Sequence, residues 1–353
     1  MGTIMLWKGC AIGCAIAAVA LISGHTAVWA ADEANPPLKA FTVLVATSAG
    51  GGYDLYGRAL ARHIPKHLPG SPKVTVRNMP GGGGLVAANH LYNLSPRDGS
   101  EIAAFEHGTA FAPVLNGVAV KFDSIKFGWL GSLESFVPIV LAWHTSGIRT
   151  IDDLRTKQLR VGASGVGSNT SGYPYSLAAL LGLKLDVING YPGSREITFA
   201  IEKEEVDGVA SWCWDCLKSA KPDWLAEKKA HVVLQIAING DPELTALGIP
   251  TAMELATTDE QRRYLRVILA SAEFGRPFAA PPGVLPSQLS TLRRAFEQTA
   301  KDPELIEEMR KRNSVIRYSA PEMLQDLLQS AASLDEQTLR KLQAIYSGGA
   351  ANR

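Results

Sequence analysis

Net charge is almost missing from this chain: 35 Lys and Arg stand against 34 Asp and Glu in 353 residues. Binding a nucleic-acid backbone needs clustered cations and usually a strongly basic domain, so this balance argues against nucleic acid as a partner. Cysteine is scarce, with 4 residues, and no apolar run after residue 30 is long enough to span a bilayer. Aromatics make up 7% and hydrophobic residues 46%, while 33 Gly and 20 Pro break the chain often. That composition excludes general disorder and fibrous repeats and describes a loop-rich globular protein. The length suggests two domains of ordinary size.

One apolar run does occur, at residues 10–22, after the lone charge Lys8 and before the small-residue exit Val28-Trp29-Ala30. A short basic region, an apolar core and a small-residue exit describe a secretory signal peptide over residues 1–30. A run of about 13 residues is short of the roughly 20 that a transmembrane helix needs. Cys10 and Cys14 lie within this segment with no Cys just after it, which argues against a lipoprotein anchor. The expected mature chain is soluble, exported, periplasmic and monomeric. It keeps Cys213 and Cys216, and in an oxidising compartment a pair this close is most simply a short-loop disulfide. A redox centre would want a thioredoxin-like domain around it, and zinc would want a second ligand pair.

Strand and helix patterns alternate along the mature chain. Residues 41–46, 74–76 and 102–105 read as strands, with helices over 53–67 and 85–94 between them. The pattern returns with strands at 137–143, 159–163, 185–188 and 206–210, and with helices over 150–157, from about Pro174 to Leu181, and over 196–204. Helices are expected over 286–300, 303–312 and 321–342. Such alternation implies parallel-rich sheets with helices on their faces. Two α/β lobes fit the order, with the chain crossing near residue 140 and again near 270.

Glycine loops join strand to helix at residues 47–54, 80–84 and 164–169. Free N–H groups and the positive helix end then meet at the sheet's C-terminal edge, where anions and other ligands of α/β sheets bind. Familiar alternatives fail by position. None of these loops contains the Lys of a P-loop. Gly165 and Gly167 have dinucleotide spacing, but Thr170 takes the final glycine position. Gly162 and Ser164 begin a nucleophile elbow, but Val166 stands where its last glycine belongs. Ser164 is therefore expected to donate a hydrogen bond rather than attack a carbonyl. His63 and His67 are four apart, yet Pro65 lies between them and no Glu base accompanies them, so a solvated face is expected. No carboxylate pair or Ser/His/Asp set stands at a readable spacing. The residues argue for binding over catalysis, with no metal and no cofactor.

Read together, the segments resemble the periplasmic solute-binding proteins of the tripartite tricarboxylate transporters, the Bug receptors. VATSAGGGYD at 45–54 is similar to that family's first Gly-Gly-x-x-Asp loop, and VRNMPGGG at 76–83 to its Asn-x-Pro-Gly-x-Gly-Gly. PRDGSEI at 96–102, VGASGVGS at 161–168, YPGS at 191–194, Val206-Asp207 and FAAPPG at 278–283 continue the resemblance in order over nearly the whole mature chain. It implies an α/β, two-lobe Venus-flytrap protein. Residues 38–140 and 271–353 would form lobe 1, residues 141–270 lobe 2, and the ligand would lie between them. The implied function is capture of a small organic carboxylate and its delivery to a transporter with large and small membrane subunits.

The implied ligand residues are Thr47, Ser48, Ala49, Gly50, Gly51 and Asp54 in the first loop, and Ser164, Gly165, Gly167, Ser168, Asn169 and Thr170 in the later one. His107, Tyr191 and Trp212 join them. Departures from the family pattern bear on the ligand: Ala46-Thr47 replaces Pro-Phe, and Gly190-Tyr191-Pro192 shifts an aromatic by one position. Trp212, if it faces the cleft, favours a flat or apolar acid over a compact polar amino acid. The alternative is an exported enzyme in the same cleft, either a thiol oxidoreductase at Cys213/Cys216 or a hydrolase at Ser164. A sensor that reports ligand to a membrane kinase is a further possibility at this stage.

Overall fold

The computed structural model describes residues 38–115 and 120–349, so the proposed signal peptide lies outside the described residues. Among the described residues ten strands form two five-stranded sheets. The first sheet contains β1 (Ala40–Val45), β2 (Lys73–Asn78), β3 (Glu101–Ala104) and β4 (Gly128–Ser132), and the second β5 (Pro138–Trp143), β6 (Leu159–Ala163), β7 (Leu185–Asn189), β8 (Gly208–Cys213) and β9 (Ala230–Gln235). The last strand, β10 (Pro277–Ala280), returns to the first sheet. The orders are β2-β1-β3-β10-β4 and β7-β6-β8-β5-β9. In the first sheet β1 pairs in parallel with β2 and β3, and β10 is antiparallel to both its neighbours. In the second, β6 pairs in parallel with β7 and β8, while β5 is antiparallel to β8 and β9. Each sheet therefore has four strands pointing one way and one strand against them. The chain passes between sheets from β4 to β5 and from β9 to β10.

Helices fill the crossovers. They are α1 (Gly52–His63), α2 (Leu85–Asn93) and α3 (His107–Leu115) after the first three strands, then α4 (Ile151–Thr156), α5 (Asn169–Leu181), α6 (Ser194–Glu202), α7 (Trp214–Ala220), α8 (Pro222–Ala226), α9 (Pro242–Ala246) and α10 (Asp259–Leu269). The C-terminal region holds α11 (Pro286–Ala300), α12 (Pro303–Lys311), α13 (Pro321–Ala332) and α14 (Glu336–Tyr346). Among the described residues no helix is long and apolar enough to cross a membrane.

Local chemistry accounts for several boundaries. Gly182 takes the left-handed conformation (φ 68°) that ends α5. The expected helix over 321–342 is instead two helices, because Asp335 accepts from the Thr338 N–H and caps a new start. Pro174 falls inside α5 rather than in its first turn, since the helix begins at Asn169 directly after the glycine loop.

The alternation of β1 divides its side chains. Phe41, Val43 and Val45 pack with Tyr56 and Leu60 of α1 and with Leu292 and Phe296 of α11. Leu44 joins a second cluster that runs through Phe111 of α3 and Tyr173 and Leu177 of α5 to Val161 of β6. Each such large apolar side chain contributes roughly 1.5–3 kcal/mol on burial. Helix α14 closes this second cluster from the C-terminus. The Tyr346 ring lies so near Gly172 that a Cβ there would come within 1.9 Å of it, which is why α5 carries glycine at that turn. A third cluster stacks Trp143 and Trp212 edge-on against Trp224 behind the second sheet.

His63 and His67 lie in a half-buried ion-pair network rather than on a solvated face: His63 pairs with Glu308 at 2.9 Å and His67 with Asp302 at 3.3 Å. His63, Asp302 and Glu304 stand at metal-ligand spacing, but Lys66 already bonds both carboxylates.

Candidate functional site

Strands β1 and β3 of the first sheet and β6 and β7 of the second each end in a turn that starts a helix. The starts of α1, α3, α5 and α6, at Gly52, His107, Asn169 and Ser194, all line one partly open cavity of about 50 Å³. First-turn N–H groups have no partner within their own helix and carry the positive end of its dipole. Four such ends at one place make a site for an anion. The cavity opens toward a cleft of about 1180 Å³ that shares Gly52, Ser194, Thr198, Trp212, Cys216 and Arg276 with it.

Four buried polar atoms of the lining have no hydrogen-bond partner among the described residues: Thr47 Oγ1, His107 Nε2, Asn169 Oδ1 and Ser211 Oγ. Buried polar groups are normally paired, so unpaired ones gathered around a cavity point to a ligand. The Tyr53 hydroxyl accepts from the His107 backbone N–H at 3.2 Å and lies 2.9 Å from the ring Nδ1, a bond whose direction depends on the tautomer. Burial, then the nearby charge of Arg276, push the His107 pKa down to about 3, so the ring is neutral. In the tautomer in which the Tyr53 hydroxyl donates to Nδ1, the ring proton sits on Nε2 and faces the cavity as a donor.

Ser211 reaches the cavity through a distortion of β8. Ile139 pairs with Trp212 and Val140 with Ala210, so Ser211 is the extra residue of a bulge, at φ 92°. A bulge re-aims a side chain, and a left-handed non-glycine residue costs of order 1–3 kcal/mol unless its surroundings impose it.

Two charged groups complete the lining. Arg276 is 3% exposed, and its Nε bonds Glu134 Oε2 at 3.0 Å. Its guanidinium lies over the rings of Tyr53, Tyr56 and Phe136 at 4.5–5.0 Å, and Nη2 is 2.9 Å from Cys216 Sγ. Cys213 and Cys216 are joined in a disulfide. Glu106, 6% exposed, accepts the Ser164 hydroxyl at 3.1 and 3.3 Å. Burial pushes its pKa up to about 7, against the pull of Ser164 and Arg276.

The residues singled out from sequence divide into three groups. Thr47, His107, Ser164, Asn169, Thr170 and Trp212 line this cavity. Gly50, Gly51, Asp54, Tyr191 and again Trp212 line the open cleft. Within that group Asp54 is a staple for its own loop, accepting from the Gly50 N–H, Arg58 Nε and Asn78 Nδ2.

Ser48, Ala49, Gly165, Gly167 and Ser168 line neither space. Ser48 donates to Glu196 at 2.6 Å, and its N–H bonds Pro192 O, tying the first loop to the loop before α6. Ser168 donates to Gly165 O at 2.8 Å, and Ala49 faces solvent. The close approach that Gly165 and Gly167 permit is taken up by the chain itself. A Cβ at Gly165 would stand 3.0 Å from Gly83 N, and one at Gly167 2.5 Å from Gly82 O.

Glu106, Phe136 and Arg276 belong to the lining and escaped the sequence reading, while Tyr53, Ser194 and Ser211 stood in segments it singled out but were not chosen as ligand residues. Ser164, the hydrolase alternative, has its hydroxyl bonded to Glu106 and Thr170.

No family model matches the chain, and no curated protein does. Solved structures do. The chain is similar to the periplasmic binding protein BugD at 19% identity and a TM-score of 0.68, covering 88% of this chain and 98% of that one. It is similar to MatC of Rhodopseudomonas palustris, solved with bound malate, at 20% identity and 0.67, covering 88% and 99%. A second R. palustris protein, solved with adipate, matches at 15% identity and 0.66, covering 88% and 98%. The fold is that of the two-lobe periplasmic binding proteins. BugD, MatC and a TctC solute-binding protein from Polaromonas are among its structural neighbours.

Proposed function

We propose that the chain is an exported, periplasmic receptor that captures a small organic carboxylate and delivers it to a tripartite tricarboxylate-type transporter, through that transporter's large and small membrane subunits. Residues 38–140 and 271–353 act as one lobe and residues 141–270 as the other, closing on the solute. The observation that carries this reading is the meeting of four helix starts with the unpartnered Thr47 Oγ1, His107 Nε2 and Ser211 Oγ around one cavity. Neutral donors and helix ends hold an anion without a metal or lysine, and hydrogen bonds to a charged group are worth about 1.5–3 kcal/mol each. Malate and adipate in two structural neighbours support the same chemistry.

A thermal-shift screen of the mature protein against mono- and dicarboxylates tests capture. An acid present at 100 times its Kd stabilises the fold by about 2.7 kcal/mol. If no carboxylate raises the melting temperature, the receptor reading fails. Delivery is tested by uptake of the same acid into cells with and without the gene.

A further inference from the structure

Glu106 is out of place in a site built for an anion. Its carboxylate has about four lone-pair positions and, among the described residues, one side-chain hydrogen-bond donor, Ser164. The hydroxyl chain beside it runs in one direction: Ser168 donates to Gly165 O, Thr170 accepts the Ser164 N–H and passes its own proton to Ser168, and the Ser164 proton goes to the stronger acceptor, Glu106. Arg276 does not compensate Glu106 by contact, because its Nε is held by Glu134 and its Nη2 lies against the disulfide sulfurs. A buried carboxylate without a bonded cation is costly unless it takes up a proton, and an arriving cation relieves that cost. The unpartnered Thr47 and Ser211 hydroxyls line the same cavity and can accept as well as donate, and Trp212 offers an aromatic wall.

We propose that Glu106 holds a protonated amino group on the solute, so that the cavity selects an amino acid over the plain carboxylic acid. This rests on the receptor reading and deepens it. The solute's carboxylate faces the helix starts and the His107 Nε2–H, and its ammonium faces Glu106. That replaces the preference for a flat plain acid that Trp212 alone suggested.

The test screens the mature protein by thermal shift and titration calorimetry against the 20 amino acids and, for each, the acid lacking the amino group and the matching 2-hydroxy acid. The expected result is an amino acid that binds at least tenfold tighter than both of its analogues. Glu106→Gln should then weaken that amino acid about 100-fold, the loss expected when one partner of a buried ion pair is removed, and leave the plain acid within threefold.

The parent protein supplies a readout that needs no variant. The charged and titratable groups around Glu106 are Arg276, His107, Tyr53 and Tyr346; Arg276 stays charged, and burial keeps the other three neutral from pH 5 to 8. Amino-acid binding should therefore weaken as pH falls from 8 to 5 and Glu106 takes up a proton. Plain acids binding as tightly as amino acids, or binding that strengthens toward pH 5, would overturn the role of Glu106 and leave the receptor standing. Should the 2-hydroxy acid bind tightest, the partner of Glu106 is a hydroxyl and the proposal is wrong. If no member of any series binds, the receptor reading falls and the proposal with it.

Discussion

Glu106 and His107 are adjacent, both buried, and shifted so that their effects on stability oppose each other. Burial raises Glu106 from 4.5 to about 7, so between those values the folded protein holds a proton that the unfolded chain has released. Stability from this group therefore falls as pH rises, by about 1.4 kcal/mol per pH unit and about 3 kcal/mol in all. Burial and the Arg276 charge lower His107 from 6.5 to about 3, so between those values the unfolded chain holds the extra proton. Its contribution is full above 6.5 and is lost as pH falls, with the opposite slope and a total of about 5 kcal/mol. From pH 4.5 to 6.5 the two cancel. Urea unfolding at half-unit pH steps measures this directly, with m held constant as a check that both end states are unchanged. Glu106→Gln should expose the histidine slope and gain about 3 kcal/mol relative to the parent as pH rises from 4.5 to 6.5. His107→Gln should show the reverse. Curves for both variants that run parallel to the parent across this window would refute the reasoning.

Other expectations follow from the same lining. Arg276→Gln strands Glu134 without its cation and should cost about 3–5 kcal/mol in denaturant melts, much of it restored by pairing Arg276→Met with Glu134→Leu. Opening the Cys213–Cys216 bridge, by reductant or by replacing both with Ser, should cost roughly 2 kcal/mol by loop-closure entropy, with no insulin reductase activity in the parent. Ser211→Gly relieves a left-handed serine and removes a cavity hydroxyl, so it should raise unfolding stability by about 1 kcal/mol while weakening solute binding about tenfold or more.

Much of this architecture was legible in the residues. The alternation of apolar runs with glycine-led helices placed β1, β5 and β6. Short strands buried on both sides were harder. GWLGS of β4 and PFAA of β10 are too brief to show a period of two, and their partners lie far away in sequence. The first loop and Ser164, Asn169 and Thr170 were readable because glycine followed by a helix start leaves a pattern. Gly165 and Gly167 carry the same pattern for another reason, the backbone approach of the Gly82–Gly83 turn, and sequence spacing cannot separate the two uses. The turn of Ser211 into the cavity was invisible because a bulge depends on pairing register. Arg276 left a trace, a lone cation in Phe274-Gly275-Arg276-Pro277-Phe278, where an apolar context makes a buried charge stand out. Glu106 stood beside His107, and its significance appears once Ser164 is brought against it from the other sheet.

The most direct measurement of the central claim is a crystal structure of the mature protein with the carboxylate that gives the largest thermal shift. The account predicts that the carboxylate lies in the cavity with no metal. Its oxygens should be about 3 Å from N–H groups at the starts of α1 or α6 and from at least one of Thr47 Oγ1, His107 Nε2 and Ser211 Oγ. A carboxylate bound elsewhere on the molecule, or held in the cavity through a metal ion or a lysine, would contradict it.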